Sequence, residues 1–270
     1  MENSRGFTLS EELYHKSKRL SSSAIKQLAI SAKHYKVNYI DSESKDTPAK
    51  KLGRLFHKAM LEPEEFRDRF IVEPKFDKRT KIGKQGYADF ILDLDPKAIS
   101  VSSNDYDSLI PMLDVILETE ILRKILKDSM KEFTIFWNDE EWGEKCKARF
   151  DILTYSDFIV DIKTINDASS DDKISKDIFK WGYHISAYWY IRAFEKHFKR
   201  KCKKFVWVFI ESGKPHGIKI VECEGAWIEL AEKKIEQAQY NLKQARQTKK
   251  WECYNADPRV ILPIDWMYYS

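Results

Sequence analysis

The residue pattern calls for an α/β chain with a mixed β-sheet flanked by helices. Helical periodicity fills the first half of the 270 residues, three alternating segments follow between 132 and 164, and the order then runs helix, two alternating segments, long helix. Runs of helix around non-contiguous strand groups suit a mixed sheet within a single domain.

The elements follow in order. SSSAIKQL opens a helix, with Ser21 to Ser23 as N-cap candidates. AKKLGRLFHKAML (49–61) reads as a second helix, ended by Pro63. A basic stretch, KFDKRTKIGK (75–84), contains Gly83, and YADFILDL is one more helical piece. SLIPMLDVILETEILRKIL (108–126) has helical periodicity, divisible into two helices, with Pro111 suited to a first turn. EFTIFWN (132–138), KCKARFDIL (145–153) and DFIVDIKT (157–164) alternate as strands do. Residues 171–199 return to helix. KKFVWVFIES (203–212) and HGIKIVEC (216–223) form a strand pair turned at Gly213-Lys214-Pro215. A long helix over about 226–247 aligns Ala231, Ile235, Ala238, Leu242 and Ala245, and the tail WECYNADPRVILPIDW is irregular. The expected organisation is one domain over 1–270: a helical part to about 130, a core over about 131–250, and a tail over 251–270.

Composition narrows the function classes. Hydrophobic residues are 43% and charged residues 33%, the balance of a globular protein with a full core. A net charge of +4 carries no global case for nucleic acid, so local basic patches must. The first twenty residues lack an apolar core, so no secretory signal is expected, and no run of about 18 apolar residues points to a membrane span. Cys146, Cys202, Cys223 and Cys253 form no C-x-x-C pair, which argues against a zinc or iron–sulfur site and for a reducing cytosol.

The chemistry concentrates in RFDILTYSDFIVDIKT (149–164). Charges are costly to bury unless paired or bound to a metal. Period-two geometry puts Asp161 and Lys163 on one face of their strand, and pairing with the preceding strand brings Asp151 to both. Two carboxylates and an amine at one point suit Mg²⁺ or Mn²⁺ and phosphodiester hydrolysis. The same residues also fit a structural Asp151–Lys163 ion pair with Asp161 capping a turn.

Further stretches favour the first reading. Asp151 with Asp161-Ile162-Lys163 resembles the PD-(D/E)xK nuclease core, with Phe150 in place of the nominal proline. LGRLFHKAMLEP (52–63) looks like the G-x-x-x-H helix of RecB-type nucleases, through Gly53 and His57. CKARFDIL followed by IVDIKT resembles the RecE-like (exonuclease VIII type) branch. So do LSSSAIKQLAISAKHYK, KRTKIGK, YHISAYWY (183–190), WECY and LPIDW, so the resemblance spans almost the whole chain. It implies metal ligands at His57, Asp151, Asp161 and the Ile162 backbone carbonyl, with Lys163 as the catalytic lysine. The Gln-x-x-x-Tyr helix of the RecB-type branch is matched at Tyr190, but Ser186 stands at the glutamine position; the two share a helix face and can act together. DNA contacts are implied at Ser21, Ser23, Arg79, Lys81, Lys84 and Ser186.

The resemblance further implies an Mg²⁺-dependent (or Mn²⁺-dependent) deoxyribonuclease digesting one strand of linear duplex DNA from an end, with 5′→3′ polarity. A ring-shaped homo-oligomer and a single-strand annealing partner in phage-type recombination come with it. The alternatives are a Cas4-like or restriction-type nuclease and a DNA-end-binding module with a weakened site. The run KHFKRKCKK (196–204), six of whose residues are Lys or Arg, fits a favourable helix C-terminus as well as a phosphate contact. Trp181, Tyr183 and Trp189 are expected in the core.

Overall fold

A computed structural model describes residues 7–41, 47–254, 257–258 and 260. LPIDW and most of the tail lie outside the described residues.

The chain enters through a two-residue strand β1 (Phe7–Thr8) and a short helix α1 (Glu11–Lys16). Helix α2 (Ser22–Ile30) starts where the Ser21 hydroxyl accepts from the Ala24 N–H, a local cap that relieves an unpaired helix donor. A four-residue helix α3 (Ala32–Tyr35) and a π-helical turn (Lys36–Ile40) follow. Thr47 caps α4 (Pro48–Leu61), whose first residue is the proline that a first turn tolerates. Helix α5 (Pro63–Arg69), strand β2 (Phe70–Val72), helix α6 (Lys81–Asp93) and strand β3 (Ile99–Val101) make an excursion in which β2 and β3 pair in parallel. Helices α7 (Ser103–Glu118) and α8 (Glu120–Lys127) lead into three long strands, β4 (Ser129–Asp139), β5 (Glu144–Thr154) and β6 (Phe158–Ile165). Helices α9 (Asp171–Lys180) and α10 (Tyr183–Phe198) carry the chain to β7 (Lys204–Glu211), which turns into β8 (Ile218–Glu222) and the long α11 (Ala226–Thr248).

The main sheet has the order β1-β4-β5-β6-β7-β8, with β6 and β7 parallel and the other pairs antiparallel. The mixed α/β sheet expected from the pattern is therefore present. Alternation along β7 shows why it has two cores. Phe205, Trp207 and Phe209 join one cluster with Ile25 and Leu28 of α2, Trp189 and Phe194 of α10, and Ile235 of α11. Val208 and Ile210 join another with Phe56 and Met60 of α4 and with Leu109, Met112 and Ile116 of α7. A strand covered on both faces has no polar side left, so β7 reads as a nearly continuous apolar run.

Three elements depart from the sequence expectation. The Ser102 hydroxyl accepts from the Asp105 N–H, so α7 begins five residues earlier than expected and Pro111 sits inside the helix, not in its first turn. Thr80 caps α6 at Gly83, joining the end of the basic stretch to YADFILDL in one helix. The helical segment after residue 171 is two helices, broken at Gly182, whose φ of +62° glycine adopts without a Cβ penalty.

Candidate active site

The site forms where β5 and β6 part company. Their pairing registers Leu153 with Ile159 and Ile152 with Val160. Continuing that register puts Asp151 opposite Asp161, and there the ladder stops. Two carboxylates face to face repel, and other groups take over the backbone of β6. The Asp151 Oδ2 oxygen accepts from the Ile162 N–H at 2.8 Å, and His57 Nε2 lies 2.8 Å from the Ile162 carbonyl oxygen. Strand β5 runs three residues past Asp151, so this aspartate is inside the strand and not at its end.

Helix α4 delivers His57. A Cβ on Gly53 would come within 3.2 Å of Thr164 Oγ1, so glycine lets the helix approach the end of β6 closely. One turn later the imidazole reaches Ile162, and its Nδ1 lies 3.7 Å from Asp151 Oδ2. The G-x-x-x-H spacing thus has a packing cause at one end and a polar contact at the other.

Lys163 fills the middle. Its Nζ lies 2.7 Å from Asp161 Oδ2 and 3.9 Å from Asp151 Oδ2, and it donates to the Ile162 carbonyl at 3.2 Å. Burial pulls its pKa down, but Asp161 and Asp151 outweigh burial and hold it well above the ordinary lysine value, so it is an ammonium. Burial pushes Asp161 up, reinforced by Asp151 and opposed by Lys163. Asp151 ends below its usual range because His57, Lys163 and the Ile162 N–H overcome burial. The donor that faces the buried Asp161 Oδ2 is the Lys163 ammonium.

The structure adds a residue that the sequence reading passed over. Lys131 pairs with Ile152 and Phe133 with Phe150, which places Glu132 opposite Asp151. Glu132 has φ of +49°, is buried, and lies 2.7 Å from Arg149 Nε through its Oε2. Burial and the neighbouring Asp151 raise its pKa to about 7, against the pull of Arg149. His57, Glu132 and Asp151 each offer a ligand atom within 4.8 Å of the others. A charged residue opening an otherwise apolar strand, KEFTIFWN, was the available signal; the register that gives it meaning was not readable.

The remaining sequence candidates divide. Tyr190 on α10 meets Phe150 edge-on with ring centroids 5.6 Å apart, and Ser22 Oγ lies 3.4 Å from its hydroxyl. Burial, then Asp161 and Asp151, raise its pKa, so the phenol keeps its proton. Ser186 is buried one turn earlier on the same helix. Ser21 is buried as the cap of α2 and bonds Tyr39 Oη at 3.0 Å, which leaves Ser22 as the serine that reaches the site, while Ser23 is exposed. Arg79 is exposed and bidentate to Asp77, and Lys81 and Lys84 are exposed at the start of α6. Gly83 serves the local turn: a Cβ there would fall 2.1 Å from the Asp77 carbonyl oxygen. Trp189 is fully buried and Tyr183 packs beside the site, but Trp181 is 53% exposed, contrary to the core placement expected for it.

The donor chemistry fits a hard divalent ion. Carboxylates of Glu132, Asp151 and Asp161, the His57 imidazole and the Ile162 carbonyl are the groups at hand, and buried carboxylates gathered with an imidazole are the oxygen-rich donor set that such an ion takes.

Comparison with known proteins agrees with this fold. Residues 21–257 match the family described as a "PDDEXK-like domain of unknown function (DUF3799)". The chain belongs to this PDDEXK-like family. Its fold is similar to that of a protein from Eubacterium rectale whose structure is titled "Putative exonuclease", with a TM-score of 0.64 and 15% identity over 98% of each chain. A phage-related exonuclease from Haemophilus somnus 129PT aligns with a TM-score of 0.38 and 15% identity over 88% of this chain and 99% of that one. No curated protein matches the chain. The mixed α/β sheet flanked by helices that the sequence led us to expect is thus the fold of this family. Among the described residues no helix is long and apolar enough to cross a membrane.

Proposed function

We propose that the chain is a divalent-metal-dependent deoxyribonuclease that digests one strand of linear duplex DNA from an end. The observation that carries the reading is the convergence of His57, Asp151 and Lys163 on the backbone of Ile162, with Asp161 against Lys163 and Glu132 beside His57 and Asp151. The family and the exonuclease title of the structurally similar Eubacterium rectale protein support it.

The residues divide the work. His57, Asp151, Asp161 and the Ile162 carbonyl would hold Mg²⁺ or Mn²⁺, with Glu132 as a further ligand. Such an ion, when bound, lowers the pKa of water and offsets charge on a phosphate. Lys163, held as an ammonium, orients the attacking water through hydrogen bonding and counters the charge that develops at phosphorus. Tyr190 keeps its proton and serves as a donor beside the carboxylates. The exposed Arg79, Lys81 and Lys84 and the exposed Ser23 would meet backbone phosphates, which position DNA without reading its sequence.

Polarity of 5′→3′, a ring-shaped oligomer enclosing the duplex, an annealing partner in phage-type recombination, and a cytosolic setting consistent with free cysteines belong to the same proposal. Incubating end-labelled linear and covalently closed duplex with Mg²⁺, Mn²⁺ or a chelator tests the central claim. Acid-soluble nucleotides only with metal, and only from linear DNA, are expected. Cutting of closed circles would favour a restriction-type enzyme. Metal-independent binding to ends without any cleavage would favour an end-binding module, the reading that Ser186 at the glutamine position supports.

A further inference from the structure

Helix α2 turns Ala24, Ile25 and Leu28 into the core, and the intervening Lys26 takes a different course. Its stem lies along Gly182 at the head of α10, where a Cβ would come within 3.3 Å of Lys26 Cγ and Cδ. Its Nζ stands over the ring of Tyr183, 5.4 Å from the centroid. Lys163 Nζ stands over the same ring at 5.6 Å. Two ammonium groups from distant parts of the chain therefore share one aromatic ring at the edge of the candidate site.

Their surroundings are unequal. Lys163 has Asp161 at 2.7 Å and Asp151 at 3.9 Å. Lys26 makes no ion pair within 4.0 Å among the described residues, and the cation–π contact with Tyr183 only partly offsets its charge. Burial and the Lys163 charge depress its pKa to about 8, with Asp161 pulling the other way. A half-buried cation beside another cation is unfavourable in isolation, and an anion between the two relieves both. The site, on the reading proposed above, receives a polyanion.

We propose that Lys26 is a second phosphate-binding cation of this site, its ammonium taking a non-bridging oxygen of the bound DNA strand beside the phosphate that Lys163 faces. The inference rests on the nuclease reading and adds a substrate contact on the helix that also supplies Ser22 to Tyr190. Gly182 is then required twice over, for its left-handed φ of +62° and for the space that the lysine stem occupies.

The test compares K26Q and K26R in the full chain. With Mg²⁺ and linear duplex, K26Q should raise KM about tenfold or more, the scale of a lost charge-assisted hydrogen bond, and K26R should keep most of the affinity. Mn²⁺ affinity, read by calorimetry without DNA, should match wild type in both. A second arm needs no cleavage: in a K163M background, adding K26Q should make the log–log salt slope of duplex binding shallower by about 0.9. An unchanged KM and slope in K26Q would overturn the proposal. So would equal defects in K26Q and K26R accompanied by lost Mn²⁺ binding, since that marks a structural role. If wild-type protein fails to cleave, the nuclease reading falls, and the salt-slope arm still decides Lys26.

Discussion

Replacing Lys163 by methionine tests the central arrangement, because it removes a charge and keeps the volume. The ammonium lies 2.7 Å from Asp161 Oδ2 and 3.9 Å from Asp151 Oδ2. At an effective dielectric of about 20, those separations correspond to gross attractions of about 6 and about 4 kcal/mol. Desolvation cancels much of this, and breaking a buried pair from one side costs about 3–5 kcal/mol net, because the other charge is left uncompensated. For a chain of this size that lowers the thermal midpoint by about 10 °C in chelator. The same change removes a competitor for the two carboxylates, so Mn²⁺ should stabilise K163M by more than it stabilises wild type. Cleavage should nevertheless fall by about 10²–10³-fold, the usual loss on deleting an electrostatic donor. Circular dichroism melts across a Mn²⁺ series, with single-turnover cleavage of end-labelled linear DNA, read all three quantities. A variant that melts with wild type in chelator, gains no more from Mn²⁺, or cleaves at the wild-type rate refutes the reasoning.

Other expectations follow from the same geometry. Glu132→Gln should lower Mn²⁺ affinity at least about tenfold, since even outer partners of a metal site cost that much; calorimetry showing wild-type affinity would remove Glu132 from the ligand set. Ser186→Gln restores the glutamine of the RecB-type motif, but the position is buried, so overpacking should cost about 1–3 kcal/mol in urea denaturation with no gain in cleavage. Asp139→Asn probes a pair away from the site. Asp139 accepts from Arg192 at 2.9 and 3.0 Å and from Trp137 Nε1 at 3.1 Å. Burial raises its pKa, yet these donors outweigh burial and hold it below the ordinary value. A carboxyl depressed in the folded state contributes stability above its unfolded pKa of about 3.9 and loses it as pH falls through the folded value. D139N should therefore be destabilised by about 3 kcal/mol at pH 7, with the gap from wild type closing below about pH 4; a gap of equal size at pH 3 and pH 7 would contradict this.

Much of the fold was legible because it rests on periodicity. The alternation in 132–164 gave β4, β5 and β6, and the spacing of Ala231, Ile235, Ala238, Leu242 and Ala245 gave the buried face of α11. Boundaries were less legible where a cap competed with a stronger cue. Pro111 suggested a helix start, yet the Ser102 cap placed the start earlier, and Thr80 drew a basic run into α6. Trp181 looked like a core residue by type, but the chain breaks at Gly182 and leaves the ring at the corner.

For the site, sequence alone determined what lies close along the chain: Asp161 and Lys163 share a strand face because side chains alternate, and Gly53 precedes His57 by one helical turn because spacing is all that a helix needs. Tertiary structure decided everything that depends on which strands pair and where they separate. It set Glu132 opposite Asp151, turned the Asp151 carboxylate to the Ile162 N–H, gave the Ile162 carbonyl to His57, and brought Lys26 over the same ring as Lys163. The physical reason is that a register and a splayed ladder are settled by the packing of both sheet faces at once, and no local pattern encodes that sum.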